Sequence, residues 1–552
     1  MKDAKVEQLN VSDEFLLDCA DSKYQAGDYM GALSMLARRN EMYSPSADAF
    51  ALAADIYEAL ELHQLCADCW FRFLDTCNEA DFYEGYEGLA VAFMNMGDPV
   101  RAALFYRQSF DGGEGEEFSA EELFVEQKRP PLHLVRSDDE EGQYRLLEGV
   151  TQMKAGNLEG ARDAFRSVSE NSSEYPSAAG LAAMCTLLSG EANAEEEAEK
   201  ECEALYHRFP ENVQLLTTYC AVLGARDKKA EAEAIAKNLA ALPVTATDDL
   251  YRIATALCET GLNEEAYEKL CILKKGKLCY DENVLWFHAV AAQSTGREEE
   301  AIESLERFTL LYPRRAVAQY FLEKLRGHRD GGEEVKMRYY YRMPPQLYRT
   351  VADYFLNLDK TDEARVDGET FALYFRLAFD EMEGRDTKLQ LLAAREAARL
   401  HADNLLREVL LNYTAEDLVK VSILHDLTMR AEDDSFGAVV CSRYKEYFTH
   451  HLEVGLKKRT AFMKAFADVY TKFILFDENG EANEMKLCAA AEDIYHILAE
   501  EGAYACFEER SALSAAIYRE ARLIGGVRGL DGIVALFEAD KAKTQEILNH
   551  LI

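Results

Sequence analysis

A chain of 552 residues, 48% hydrophobic and 29% charged, has the make-up of a soluble protein with continuous apolar cores, and at roughly 100–200 residues per domain it holds several domains or one long repeat array. Its 100 Asp and Glu outnumber 61 Lys and Arg and leave a net charge of −39, a surface that repels phosphate backbones and anionic lipid, disfavours nucleic-acid and membrane partners, and favours basic ones. No uninterrupted run of about 18 apolar residues predicts a membrane span, MKDAKVEQLNVSDEF lacks the layout of a secretory signal, and the 13 scattered cysteines read as small buried residues of a reducing cytoplasm.

Along the first three-fifths of the chain one motif recurs. A glycine is followed five residues later by an alanine at Gly27/Ala32, Gly97/Ala102, Gly156/Ala161, Gly261/Ala266 and Gly296/Ala301. A large apolar residue stands four positions further on, at Leu36, Tyr106, Phe165, Leu270 and Leu305. Before each glycine the apolar residues return every three to four positions, the period of an amphipathic helix. The spacing predicts helical hairpins. Glycine supplies the left-handed backbone that ends the first helix; alanine lets the two helices cross closely; the large residue fills the space under the next hairpin. Pro45, Pro176, Pro210, Pro243 and Pro313 close units. Each hairpin leaves an apolar face bare, so neighbours must stack to cover it.

GLAVAFMNMGDPVRAALFYRQSF at 88–110 and LWFHAVAAQSTGREEEAIESLERFTLLYP at 285–313 resemble the tetratricopeptide repeat, a helical hairpin of about 34 residues. About eight such units fit between residues 11 and 313. The second, fifth and sixth depart from the pattern: Glu61 replaces the turn glycine in the second, and extra residues around Glu191–Glu195 lengthen the fifth. The resemblance implies a superhelix whose concave face, lined by the first helix of each pair, docks an extended peptide or a partner's helix. Carried over residue by residue, that face presents Leu17, Asp21 and Tyr24 in the first unit, Asp55 and Glu58 in the second, Val91, Met94 and Asn95 in the third, and Trp286, Val290 and Gln293 in the last. Members that clamp acidic chaperone tails use basic or amide groups where this chain has Asp21 and Asp55. A basic or amphipathic segment is therefore the expected guest, with charge setting rate and salt sensitivity more than affinity.

Residues 111–141, rich in Gly and acidic residues around Pro130-Pro131, read as an insertion within the array. AVAQYFLEKLRG after Pro313 caps the array, which is placed at 11–327. A linker, 328–345, carries the chain's one basic, aromatic island: Lys336, Arg338 and Arg342 around Tyr339, Tyr340 and Tyr341. Stacking and charge would suit a nucleic acid; the reading favoured by the overall charge is a segment pinned between domains, its tyrosines buried and its arginines paired. Residues 346–552 contain no proline and many apolar-periodic stretches, and are expected to form a second all-helical domain.

Motifs that would carry chemistry are weak. IGGVRGLDG, ending at Gly532, has no lysine and follows a helix, so it reads as a turn. No HExxH occurs, and the glycine of FDENGEANEM (476–485) is misplaced for a calcium loop. His63, Cys66, Cys69 and Cys77 are the best metal candidates, yet Cys66 falls on the small crossing position and Trp70 on the large one, so packing explains them. His450-His451, in an expected helix KEYFTHHLEVG, point about 100° apart. The expectation is an all-α fold, a tetratricopeptide-type superhelix followed by a helical solenoid or bundle. Its role would be a non-enzymatic cytoplasmic scaffold that binds protein or peptide, with no cofactor and no metal. A peptide-responsive regulator, or an enzyme with its site in the C-terminal helices, is the alternative. The sequence assigns no oligomeric state.

Overall fold

The computed structural model describes residues 12–110, 137–191, 193–329, 336–358, 366–380, 386–430, 434–449, 459–474 and 480–551. Most of the acidic insertion, His450 and His451, residues 330–335 of the linker and the start of the 476–485 loop lie outside them. The chain falls into two compact units: Met1–Phe124 with Pro344–Asp380 and Gly384–Ile552, and Val125–Met343 with Glu381–Glu383. The expectation placed one array at 11–327 and a separate domain at 346–552; the first three hairpins group instead with the C-terminal residues.

In the first unit α1 (Asp13–Gln25) pairs with α2 (Tyr29–Met42), α3 (Ala47–Ala59) with α4 (His63–Thr76), and α5 (Phe82–Asn95) with α6 (Pro99–Phe110). Ser12, Asp28 and Ser46 accept from the amides of Phe15, Gly31 and Ala49, satisfying donors that a helix start leaves unpaired. Gly27 and Gly97 hold φ of +77° and +76° at the turns, and Glu61 takes the same left-handed region at +59°. Ala32 and Ala102 are buried at the crossings. In the third hairpin the fully buried large residue is Phe105, one place before the expected Tyr106, which is half-exposed. Phe105 turns into a cluster with Phe71 and Phe93, ring centres 5.7 and 5.3 Å away, and that burial decides the register.

The second unit begins with α7 (Asp138–Lys154) and α8 (Leu158–Arg166), then α9 (Tyr175–Leu188) and α10 (Ala194–Arg208), and α11 (Val213–Ala225) and α12 (Lys229–Ala241). It continues with α13 (Thr247–Thr260) and α14 (Asn263–Lys275), α15 (Glu282–Ser294) and α16 (Glu298–Leu311), and the closing α17 (Ala316–Arg329). Gly156, Gly261 and Gly296 repeat the left-handed turn, and Asp227 adopts it at +56° where glycine is missing. Ala161, Ala266 and Ala301 are buried, as are Phe165, Leu270 and Leu305. Helix α9 packs on α11, and α11 on α13, so the first helices of successive hairpins form one wall. By their own geometry these are tetratricopeptide-like hairpins.

The first unit resumes with α18 (Pro345–Leu358), α19 (Gly368–Ala378), α20 (Thr387–Arg399), α21 (Asp403–Leu410) and α22 (Asp417–Thr428). After β1 (Asp434–Val440) and β2 (Arg443–Thr449) come α23 (Arg459–Phe473), α24 (Gly480–Glu500), α25 (Arg510–Ala521), α26 (Leu530–Leu536) and α27 (Lys541–His550). IGGVRGLDG supplies the turn into α26. The fold class is all-α, as expected, except for this two-stranded sheet among the described residues. KEYFT, expected in a helix, lies in β2, paired antiparallel with β1 from Val440↔Arg443 to Asp434↔Thr449. Cys441 and Ser442, at φ +51° and +60°, make the two-residue turn whose twist suits a hairpin.

These C-terminal elements cover the second and third repeats. The Tyr413 ring, after α21, lies 5.9 Å from Phe71 and 5.6 Å from Phe93. Tyr444 meets Phe82 edge-on at 6.1 Å and donates to Asp75 Oδ1 at 3.4 Å. Arg407 stands 3.6 Å from Asp75 and 4.6 Å from the Phe436 ring centre. A hairpin needs a neighbour over its bare face; here α21, its following loop and the β-hairpin supply it, which joins residues hundreds of positions apart into one compact unit.

Candidate binding groove

The wall made by α9, α11 and α13 lines an open hollow of about 650 Å³ in the second unit. Leu181 and Met184 from α9, Thr217, Thr218 and Ala221 from α11, Thr255 and Ala256 from α13, and Leu278 line it. The hydroxyls of Thr217 and Thr255 donate back to the carbonyls of Gln214 and Tyr251, at 2.9 and 3.0 Å, so these donors are spent within their own helices. Gln214 Nε2 donates to Thr218 Oγ1 at 3.4 Å. The result is a largely apolar wall of small side chains.

Around that wall stand Asp248, Glu259 and Asp281 against a single guanidinium, Arg252. Asp281 uses Oδ1 to cap α15 through Val284 N at 2.9 Å. Solvent reaches Glu259, yet the concave walls around it withdraw water and push its carboxyl above the ordinary range. Burial, then the Asp281 charge, raises Tyr251. Carboxylates in such surroundings gain most from a cationic guest.

The sequence reading placed no groove residue on these helices. A signal was present in QLLTTYCAVLG and LYRIATALCETG, which carry Thr and Ala at successive inward turns, but the choice of open wall depends on what else reaches each hairpin. Trp286 and Val290, expected to face a partner, are only 2% and 1% exposed. The chain's own residues 336–343 lie against α15: Trp286 Nε1 donates to the carbonyls of Arg338 and Tyr339 at 3.1 and 2.9 Å, and Gln293 Oε1 accepts from Met337 N at 2.8 Å. This part of the expected linker is thus held against the last hairpin, with Tyr339 and Tyr341 half-buried and Tyr340 exposed.

In the first unit five of the expected residues, Asp21, Tyr24, Asp55, Glu58 and Asn95, are neighbours. Asp21, Asp55 and Glu58 lie close enough for the neighbouring charges to raise Asp55 further, after desolvation. Desolvation and Asp55 likewise raise Tyr24. Asn95 Nδ2 donates to Glu58 Oε1 at 2.7 Å. Val91 and Met94 are exposed, Asp21, Asp55 and Asn95 are exposed, and Leu17, Tyr24 and Glu58 are half-buried. His63 Nδ1 lies 3.1 Å from Glu58 rather than beside a thiol, and Cys66 and Cys69 are buried. Burial pushes the Cys66 thiol up, opposite to what a thiolate ligand requires.

Behind α15 lies a polar cluster. Lys274 Nζ donates to Ser304 Oγ at 2.8 Å, Ser304 Oγ is 2.9 Å from His288 Nδ1, and His288 Nε2 is 3.5 Å from Cys271 Sγ. Burial, with Lys274 adding to it, lowers His288 to about 4, so the imidazole is neutral at pH 7. Among the described residues no group of three or more His, Cys, Asp and Glu could hold a metal ion, and no helix is long and apolar enough to cross a membrane.

The hairpins and their wall define a helical-repeat protein of tetratricopeptide-like construction. No family model matches the chain, and no curated protein matches it. Among solved structures, the P58(IPK) TPR domain is 13% identical, covering 71% of this chain and 99% of that one at a TM-score of 0.22. A human IFIT1 dimer with PPP-AAAA is 14% identical, covering 76% and 91% at 0.27. The assembly chaperone of RpL4, Acl4, is 17% identical, covering 52% and 98% at 0.20. At these scores the superpositions are poor, and the repeat character rests on the chain's own hairpins.

Proposed function

We propose that this chain is a non-enzymatic protein-interaction scaffold and that the groove over α9, α11 and α13 seats an extended basic or amphipathic segment of a partner protein. The observation that carries this reading is the cavity of about 650 Å³, apolar at its wall and ringed by three carboxylates to one guanidinium. Apolar side chains of the guest would bury against Leu181, Met184 and the threonine methyls, and its Lys or Arg would meet Asp248, Glu259 and Asp281. The net charge of −39 works against a nucleic acid in the same place. Thirteen free thiols support a reducing, cytoplasmic setting.

Fluorescence anisotropy on the full chain tests this with labelled decapeptides, one rich in Lys and Tyr, one in Glu and Tyr, and a single-stranded decanucleotide. The basic peptide is expected to bind, to weaken from low to moderate salt, and to lose about tenfold in Asp248→Asn/Asp281→Asn. Tighter binding of the oligonucleotide, or equal affinity of the double variant for the basic peptide, would overturn the reading.

A further inference from the structure

Residues 336–343 form no helix or strand and bend at Tyr339 and Tyr340, and their side chains alternate between exposed and buried along the segment. Met337 and Met343 are 5% and 4% exposed, and Tyr339 and Tyr341 are half-buried between them. Lys336, Arg338, Tyr340 and Arg342 are exposed. Tyr339 meets Phe287 edge-on at 6.0 Å and its hydroxyl donates to Asn263 Oδ1 at 2.8 Å. Tyr341 lies edge-on to Trp286 at 4.7 Å and its hydroxyl accepts from Ala318 N at 3.2 Å. Gln293 and Trp286 meanwhile hold the backbone. Main-chain bonds from fixed side chains, together with pockets for every second residue, are how a groove reads an extended peptide.

We infer that Lys336–Met343 is a built-in pseudoligand: the α13–α17 end of the groove is a peptide site that the chain itself occupies. Its external partner is a non-helical segment of another protein with Met or Tyr at alternate positions and basic residues between, and that segment displaces the resident one. Trp286 and Gln293 bond backbone atoms of the resident, so those bonds serve a chain of any sequence, while Phe287, Phe308, Asn263 and the Trp286 ring select the aromatic positions. Being tethered, the resident has a high effective concentration, which sets the threshold a partner must exceed. The inference extends the proposed peptide-binding role to a second stretch of the groove and fails separately from it.

The probe is a labelled peptide copying residues 336–343, added to the full chain. Tyr339→Ser/Tyr341→Ser weakens the resident while leaving the groove intact, and this variant is expected to bind the probe at least about tenfold more tightly than the unaltered chain. Adding Gln293→Ala should remove most of that gain. Equal affinity for variant and unaltered chain, or no binding to a variant with a native near-UV spectrum, overturns the inference. Should the variant lose that spectrum, the unaltered chain decides: amide exchange at Met337 rises severalfold with millimolar probe if the resident is displaced, and stays constant if the segment is a fixed brace. Asp248→Asn/Asp281→Asn tests the neighbouring cavity and is expected to leave the gain unchanged, so each reading stands or falls on its own variant.

Discussion

Acidification should destabilise the second unit through one residue, His288. Its ring is 1% exposed and faces Tyr267, Cys271 and Lys274 on α14 and Glu300 and Ser304 on α16. A histidine lowered from 6.5 to about 4 on folding binds its proton in the unfolded chain first. Stability is therefore whole above about pH 6.5, falls as pH drops through the interval, and has lost about 3 kcal/mol below about pH 4. At about pH 5 the loss works out to about 2 kcal/mol. The chain has two tryptophans, Trp70 in the first unit and Trp286 in the second, so urea unfolding followed by Trp286 fluorescence in a Trp70→Phe background isolates the relevant unit. His288→Gln keeps an amide donor and acceptor but does not titrate. Between about pH 7.5 and pH 5 it should lose about 2 kcal/mol less than the parent. Parallel curves for the two proteins would refute the reasoning, because they would mean that the folded chain accepts the proton as readily as the unfolded one.

Tyr413→Ala should cost about 3 kcal/mol, the lower end for an aromatic truncation because the ring is half-buried, and should lower the urea midpoint read by Trp70. If only the C-terminal helices lost amide protection while α5 and α6 kept theirs, the idea that Tyr413 caps the third hairpin would be wrong. Glu61→Gly should stabilise the second hairpin by about 0.5–1 kcal/mol, since Glu61 holds a left-handed φ, whereas Gly97→Ala should cost about 1 kcal/mol; thermal melts with the two shifts in the same direction would contradict the turn argument. Ala266→Leu, at a fully buried crossing, should lose about 1–3 kcal/mol by overpacking, measured by the same Trp286 unfolding curve, and an unchanged midpoint would show that the helices there can separate freely.

Much of the fold was legible because its causes are local. A glycine able to take a positive φ and an alanine five residues on decide a hairpin within some thirty residues, and the buried Ala32, Ala102, Ala161, Ala266 and Ala301 stand where that spacing puts them. Even the departures obey the rule, with Glu61 and Asp227 bearing the left-handed strain in place of glycine. The β-hairpin is not legible in the sequence because the alternation in RYKEYFT is short and lies among long helical periods, where helix is the consistent reading.

The groove was decided elsewhere. The repeat pattern assigns Trp286 and Gln293 to inward positions, but whether such a position is open depends on which distant segment reaches it, and residues 336–343 bond both side chains. Tyr413 likewise covers rings of the third hairpin, its hydroxyl bonded to Met96 Sδ from 317 residues away. Spacing along the chain determines how a hairpin folds, since that is a matter of neighbours a few turns apart; which hairpin faces stay bare is set by competition among remote apolar segments for the same surface, and only the folded chain resolves it.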